Sequence, residues 1–137
     1  MKLEKQVVSL ELAKQLKELG FEQESLFAWG KLPISSKDGY DGAEYGLFYE
    51  WELLVNKGIE IISAYTTSEL GEMLPDSIEV PPRINNSCKL EAILDLEKFV
   101  IRYRCEGDSF RNIGMMGRTE ADARAKCLIY LKENKLI

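Results

Sequence analysis

The sequence predicts a single α+β domain over residues 1–137, an antiparallel sheet built from hairpins with an N-terminal helix, a short middle helix and a C-terminal helix packed on the sheet. Three observations carry this reading. Apolar residues alternate over Leu90, Ala92, Leu94 and Leu96 and again over Phe99, Ile101, Tyr103 and Cys105, the period of two that half-buried strands show. They recur at helical spacing over Leu12, Leu16 and Leu19 near the start, and over Ala121, Ala125, Leu128 and Leu131 near the end, so each end of the chain carries one apolar helical stripe. The size and balance, 137 residues with 45% apolar and 30% charged side chains, suit one core and leave too little chain for two.

In chain order, Ser9 stands where an N-cap is expected and Gly20 where a left-handed residue ends a helix, which brackets the first helix. Two β-rich runs follow, residues 25–32 and 44–54, and in the second Tyr45, Leu47, Tyr49, Trp51 and Leu53 fall on one face, expected to be core. PISSKDGYDGAE between them is longer than a hairpin loop needs and is expected to be exposed. Residues 59–65 read as a short buried strand. Thr66 and Glu69 then have capping-box spacing for a helix limited by Gly71 and Pro75. SIEVPPRINN reads as an extended edge segment.

The two alternating runs near Leu90 and Ile101 form a hairpin whose apolar faces coincide only when paired residue numbers sum to an odd value. Pairing Leu96 with Phe99, Leu94 with Ile101 and Ala92 with Tyr103 satisfies this and sets Glu91 opposite Arg104. EGDS is a turn leading to a third strand around residues 110–113, and Thr119 opens the last helix as N-cap, with Asp122 three residues on.

Composition narrows the chemistry. No stretch approaches the roughly 18 consecutive apolar residues of a membrane span, and the N-terminus lacks an apolar signal core; no membrane association and a cytoplasmic home are expected. Cys88, Cys105 and Cys127 are odd in number and widely spaced, which favours reduced thiols filling a core over a disulfide framework. Histidine is absent, removing the commonest general base and transition-metal ligand. No cysteine then has an imidazole to activate it, and no glycine-rich phosphate loop is present. No catalysis, cofactor or metal is expected; carboxylate acid-base chemistry is an alternative that no motif supports.

The net charge of −5 is uneven: residues 38–79 hold ten acids against one base, Lys57, while both flanks are mildly basic. An acidic middle favours a basic protein partner over a phosphate backbone. Asp38, Tyr40, Asp41 and Glu44 in the loop are therefore the expected partner surface, although glycine and aspartate belong in turns on their own account. The spacing of these carboxylates is not that of a calcium loop. Phe27 and Trp29 with Tyr45, Tyr49 and Trp51 make either core or a ligand platform, and core is the commoner fate.

The β-β-β-α order near the C-terminus invites comparison with double-stranded RNA-binding domains, whose last helix offers lysines to phosphate; here Glu120 and Asp122 occupy that end. A nucleic-acid interface would draw on Arg102, Arg104, Arg111, Arg118, Arg124 and Lys126, a scattered set for a function that needs concentrated charge. It is the disfavoured alternative.

Three stretches, VVSLELAKQLKELGFEQESLFAW, AYTTSELGEMLP and TEADARAKCLIYLKENKLI, resemble in that order a family of small uncharacterised proteins encoded in bacteriophages and prophages. Cys127 stands where the family pattern has methionine, which preserves a sulfur-bearing packing role. The resemblance implies expression inside a bacterial host and supplies no activity, cofactor or catalytic residue. The expectation is an accessory protein acting by protein–protein interaction or self-association.

Overall fold

The described residues form four α-helices and two antiparallel sheets, an α+β fold. The structure, a computed structural model, describes residues 2–32, 44–49, 51–79, 87–95, 97–105 and 113–137. A short 3-10 turn, Leu3–Lys5, leads into α1 (Leu10–Glu18). One sheet contains β1 (Phe27–Leu32), β2 (Glu44–Tyr49) and β3 (Ile61–Ser63) in the order β2-β1-β3. Helices α2 (Glu52–Asn56) and α3 (Thr67–Met73) flank β3 in sequence. The second sheet runs β4-β5-β6-β7, from Ser77–Glu79, Ser87–Asp95, Lys98–Cys105 and Ile113–Gly117, and α4 (Glu120–Glu133) closes the chain.

α4 is the centre of the core. Its Ala121, Ala123, Ala125, Cys127, Leu128, Ile129 and Leu131 are all buried, more than the single stripe read from the sequence. The helix lies between β6 and β7 on one side and α1 and α3 on the other, so apolar residues are wanted on most of its circumference. Leu16 of α1, Leu70 of α3, Ile78 of β4 and Ile101 and Tyr103 of β6 complete one contiguous cluster with it. The buried Tyr103 hydroxyl donates to the Pro75 carbonyl at 2.6 Å, and burial raises its pKa above the ordinary value.

Several local expectations are corrected. Ser9 occupies the N-cap position of α1, but its side chain makes no capping bond; its amide donates to Asp122 Oδ1 at 2.7 Å, so Asp122 ties α1 to the start of α4. Thr119 caps α4 as expected, accepting from the Asp122 amide at 3.1 Å. The run expected as a strand over residues 44–54 ends at Tyr49 and turns into α2, leaving Tyr49 and Leu53 exposed at 64% and 63%. Trp51 is held at this break by donating its indole N–H to the Ser25 carbonyl at 2.7 Å. α3 covers the TTSELGEML stretch as expected, from its Thr66 cap through Gly71 to Met73. A Cβ on Gly71 would stand 2.6 Å from an Arg124 guanidinium nitrogen, so the glycine makes room for Arg124.

The β5–β6 hairpin keeps the expected parity with a register shifted by two: Leu94 faces Phe99, Ala92 faces Ile101, Leu90 faces Tyr103 and Glu91 faces Arg102. The hairpin closes at Asp95 and Lys98, with Glu97 at φ 66, the left-handed conformation that tight two-residue turns require. An even shift leaves each side chain on its intended face. Leu94 is nonetheless 67% exposed, so the expected apolar face of β5 is core only toward its Cys88 end. β7 runs over Ile113–Gly117, later than the strand expected at 110–113, of which residues 110–112 lie outside the described residues.

Cys88 is disulfide-bonded and its register partner on β6 is Cys105, which departs from the reduced thiols expected; the Cys105 side chain lies outside the described residues. Cys127 is a free, buried thiol whose pKa burial pushes up to about 11, which keeps it protonated and unreactive near neutrality. Thiol labelling of native protein purified without reductant is expected to leave Cys127 unmodified. Denaturation without reductant should then expose one reactive thiol per chain, rising to three after reduction. Three before reduction would mean that the disulfide does not form.

Candidate functional site

A concavity lies where residues 21–24 pass α3. Gly20, at φ +86, ends α1 and sends the chain back along β3. Gln23 pins this segment: its Oε1 accepts from the Ser63 amide at 2.9 Å and its Nε2 donates to the Phe21 carbonyl at 3.0 Å. Gln23 faces inward and Ser25 is buried, which turns the alternate residues Glu22 and Glu24 out to solvent.

The opposite wall comes from α3 and rests on the capping box legible in the sequence. Thr66 Oγ1 accepts from the Glu69 amide at 3.2 Å, and Glu69 Oε2 accepts from the Thr66 amide at 2.7 Å. The same carboxylate reaches the first sheet. Oε2 accepts from the Ser25 hydroxyl at 2.9 Å and Oε1 from the Leu26 amide at 3.1 Å. Glu69 thus joins the start of β1 to the start of α3 with charge-assisted bonds.

Between the walls is a cavity of about 520 Å³ lined by Phe21, Glu22, Glu24, Tyr65, Glu69, Glu72 and Met73. Its volume falls within the range of about 300–1,000 Å³ typical of small-ligand sites. Among the described residues, Glu22, Glu24 and Glu72 have no ion-pair partner. Lys17 turns away to donate to the Ile61 carbonyl at 3.0 Å. Lys132 holds its ammonium 5.8 Å from the centre of the Phe21 ring, within cation–π range.

Tyr65 is 3% exposed, and its hydroxyl is sealed from solvent with the Ser63 hydroxyl as its hydrogen-bonding neighbour. The Tyr65 phenol is raised above its ordinary pKa of 10.0, first by burial; Ser63 offsets part of the rise, and the charges of Glu69, Glu22 and Glu24 add to it. The cavity thus combines negative carboxylates with an aromatic and thioether lining.

The residues singled out from sequence are distributed as follows. Asp38, Tyr40 and Asp41 lie outside the described residues; Glu44 opens β2 opposite Leu32, and its side chain is also outside them. Arg111 falls outside as well. Arg102 and Arg104 flank Glu91 on the outer face of β6, at 3.0 and 3.8 Å. Arg124 pairs with Glu120 through its Nε at 3.0 Å and lies over Gly71. Lys126 donates to the Met116 carbonyl at 3.0 Å, and Arg118 is exposed between β7 and α4. Of the described bases, Arg102, Arg104 and Arg124 are engaged by carboxylates of the fold.

The aromatic set also divides. Trp29 and Tyr45 pack against the core, with the Trp29 indole donating to the Val8 carbonyl at 3.0 Å. Phe27 and the exposed Tyr49 stack at 5.6 Å, and Trp51 is half-buried at the break after β2.

Sequence reasoning found Glu69 as a cap but missed Glu22, Glu24 and Tyr65 as parts of one site. The signal available was FEQES directly after a helix-ending glycine, where alternation sets two acids on one side. No protein-family model, no curated protein and no solved structure matches the chain.

Proposed function

We propose that the chain is a small accessory protein of phage or prophage type that works without catalysis by binding a protein partner, and that the acidic cavity beside α3 is the surface it uses. Self-association is the same mode of action with a second copy as partner. The observation that supports the reading is a cavity whose Glu22, Glu24 and Glu72 have no ion-pair partners among the described residues. The acidic middle of the sequence supplies Glu69 and Glu72, and the turn after α1 supplies the other two carboxylates. Among the described residues Glu91 and Glu120 engage Arg102, Arg104 and Arg124, three of the bases a nucleic-acid interface would need, which weighs against that alternative.

The phage resemblance supplies the setting, a bacterial host cytoplasm. No described helix is long and apolar enough to cross a membrane. Affinity capture from nuclease-treated bacterial lysate tests the proposal. The wild-type chain should retain a protein in stoichiometric yield, and a Glu24→Gln/Glu72→Gln variant should lose it. Equal retention by both moves the working surface elsewhere, and capture abolished by nuclease makes the Arg102 and Arg104 face the better candidate.

A further inference from the structure

We infer that the chain self-associates through the open edge of β5, residues 91–95 of one copy pairing antiparallel with residues 91–95 of a second about a two-fold axis at Ile93. None of the residues lining the cavity beside α3 takes part. In an antiparallel strand the N–H and C=O of one residue point to the same side, and those of the next residue to the other. The Leu90 amide donates to the Asp76 carbonyl at 2.9 Å, so Leu90, Ala92 and Leu94 turn their backbone groups away from β6. β4 pairs with residues 87–89 of β5, and the chain before it turns inward at Pro75, whose carbonyl accepts from the Tyr103 hydroxyl. Among the described residues the outward amides and carbonyls of Ala92 and Leu94 therefore meet no partner strand.

The edges of β7 and β3 are closed by side chains. On β7 the Lys126 ammonium donates to the Met116 carbonyl at 3.0 Å. On β3 the Lys17 ammonium donates to the Ile61 carbonyl at 3.0 Å, and Gln23 Oε1 accepts from the Ser63 amide at 2.9 Å. Such groups blunt an edge against a further strand. Among the described residues no side chain does this for β5 over 91–95, and its EAILD run contains neither lysine nor proline. Ala92 and Leu94 stand exposed on the face that is core toward Cys88, because α4 lies over β6 and β7. Free backbone groups beside exposed apolar side chains take a strand.

The register selects a second copy as the source of that strand. Identical antiparallel strands present matching faces only when paired residue numbers sum to an even value, and the free stretch is centred on Ile93. With Ile93 opposite Ile93, Ala92 of each copy faces Leu94 of the other, so the outward amides and carbonyls of both exchange bonds. On the outer face Ile93 meets its counterpart, and the apolar row Met116–Val100–Ile93 set by the register within one copy runs on into the next. The strands also fit lengthwise. Residues 87–89, where β4 sits, fall opposite residues 97–99, where the other copy has already turned back into β6. Glu91 falls opposite Asp95, but Arg102 and Arg104 hold Glu91 at 3.0 and 3.8 Å, and Lys98 is the register partner of Asp95. The contact is isologous and closes on itself, which gives a dimer and no filament.

Sedimentation velocity of the full chain over a concentration series tests this. A strand pair this short should give a dimer that dissociates on dilution. Ile93 is half-buried and outside the core cluster, so the fold should tolerate a charge there. Ile93→Lys and Ile93→Glu each bring like charges together at the two-fold axis and should sediment as monomers. An equimolar mixture of the two variants should recover the dimer, a result that misfolded chains could not give.

A monomer at every concentration overturns the inference, as does a dimer that survives both substitutions or a mixture of the variants that stays monomeric. Protection of residues 91–95 from hydrogen exchange only when a captured protein is added also overturns it, and assigns the edge to another chain. Glu24→Gln/Glu72→Gln should leave the dimer intact, so the cavity and the β5 edge are read apart.

Discussion

Replacing Glu69 by alanine is expected to destabilise the chain by about 2–4 kcal/mol, the sum of a lost capping box and of hydrogen bonds to a charged acceptor. Three donors lose their partner at once: the Thr66 amide, the Ser25 hydroxyl and the Leu26 amide. Ser25 is buried, so water cannot readily replace what it loses. Glu69→Gln should cost roughly half as much. Its amide oxygen can take the place of Oε2, which serves Thr66 and Ser25, while its NH₂ group meets the Leu26 amide, donor against donor. Thermal unfolding measures both, with a Tm decrease of about 10 °C expected for alanine. Equal and small losses for the two variants would show that Glu69 does not join the sheet to α3.

Gly117→Ala is expected to cost about 1–3 kcal/mol, and a larger β-branched residue there more. The added Cβ would stand 2.5 Å from the Ala123 nitrogen and 2.9 Å from the Thr119 carbonyl oxygen. Both are backbone atoms in the first turn of α4, so relief requires shifting the helix on which the core is built. Gly114, on the same strand, is the control. A Cβ there meets the Arg102 Cβ at 3.3 Å and no backbone atom closer than 3.9 Å, and reduced freedom of the unfolded chain favours alanine by about 0.4–1 kcal/mol. Gly114→Ala should therefore lie within about 1 kcal/mol of wild type. Urea unfolding of the pair decides the point; similar values would mean that α4 is not seated tightly on β7.

How far the sequence disclosed this fold depended on whether a local rule or a distant contact decided each element. Thr66 with Glu69, Thr119 with the following helix, and the alternation through Leu90 and Ile101 are local patterns, and each produced its element. The end of β2 was not local: Trp51 continues the alternation of Tyr45, Leu47 and Tyr49, but its indole bonds to Ser25, 26 residues earlier, and the chain turns into α2. The hairpin register shifted because Glu97 adopts a left-handed conformation that its residue type does not announce. The division of the strands between two sheets depends on long-range pairing, β1 with β3 and β4 with β5, which periodicity does not encode.

The candidate site was half legible for the same reason. Glu69 was readable as a cap, and the acidic excess of residues 38–79 as a feature that favours a basic partner. That Glu22 and Glu24 join Glu69 and Glu72 around Tyr65 follows from the Gln23–Ser63 bond, which spans 40 residues. A charge count along the chain assigned Glu22 and Glu24 to a mildly basic flank and so looked past them.

Hydrogen–deuterium exchange of the chain, alone and with its captured protein partner, tests most directly whether the cavity beside α3 is the working surface. Protection is predicted over residues 21–26 and 65–73, with the outer face of β5 and β6 around Glu91, Arg102 and Arg104 unchanged. Protection confined to that outer face, with residues 21–26 and 65–73 exchanging as in the free chain, would contradict the account.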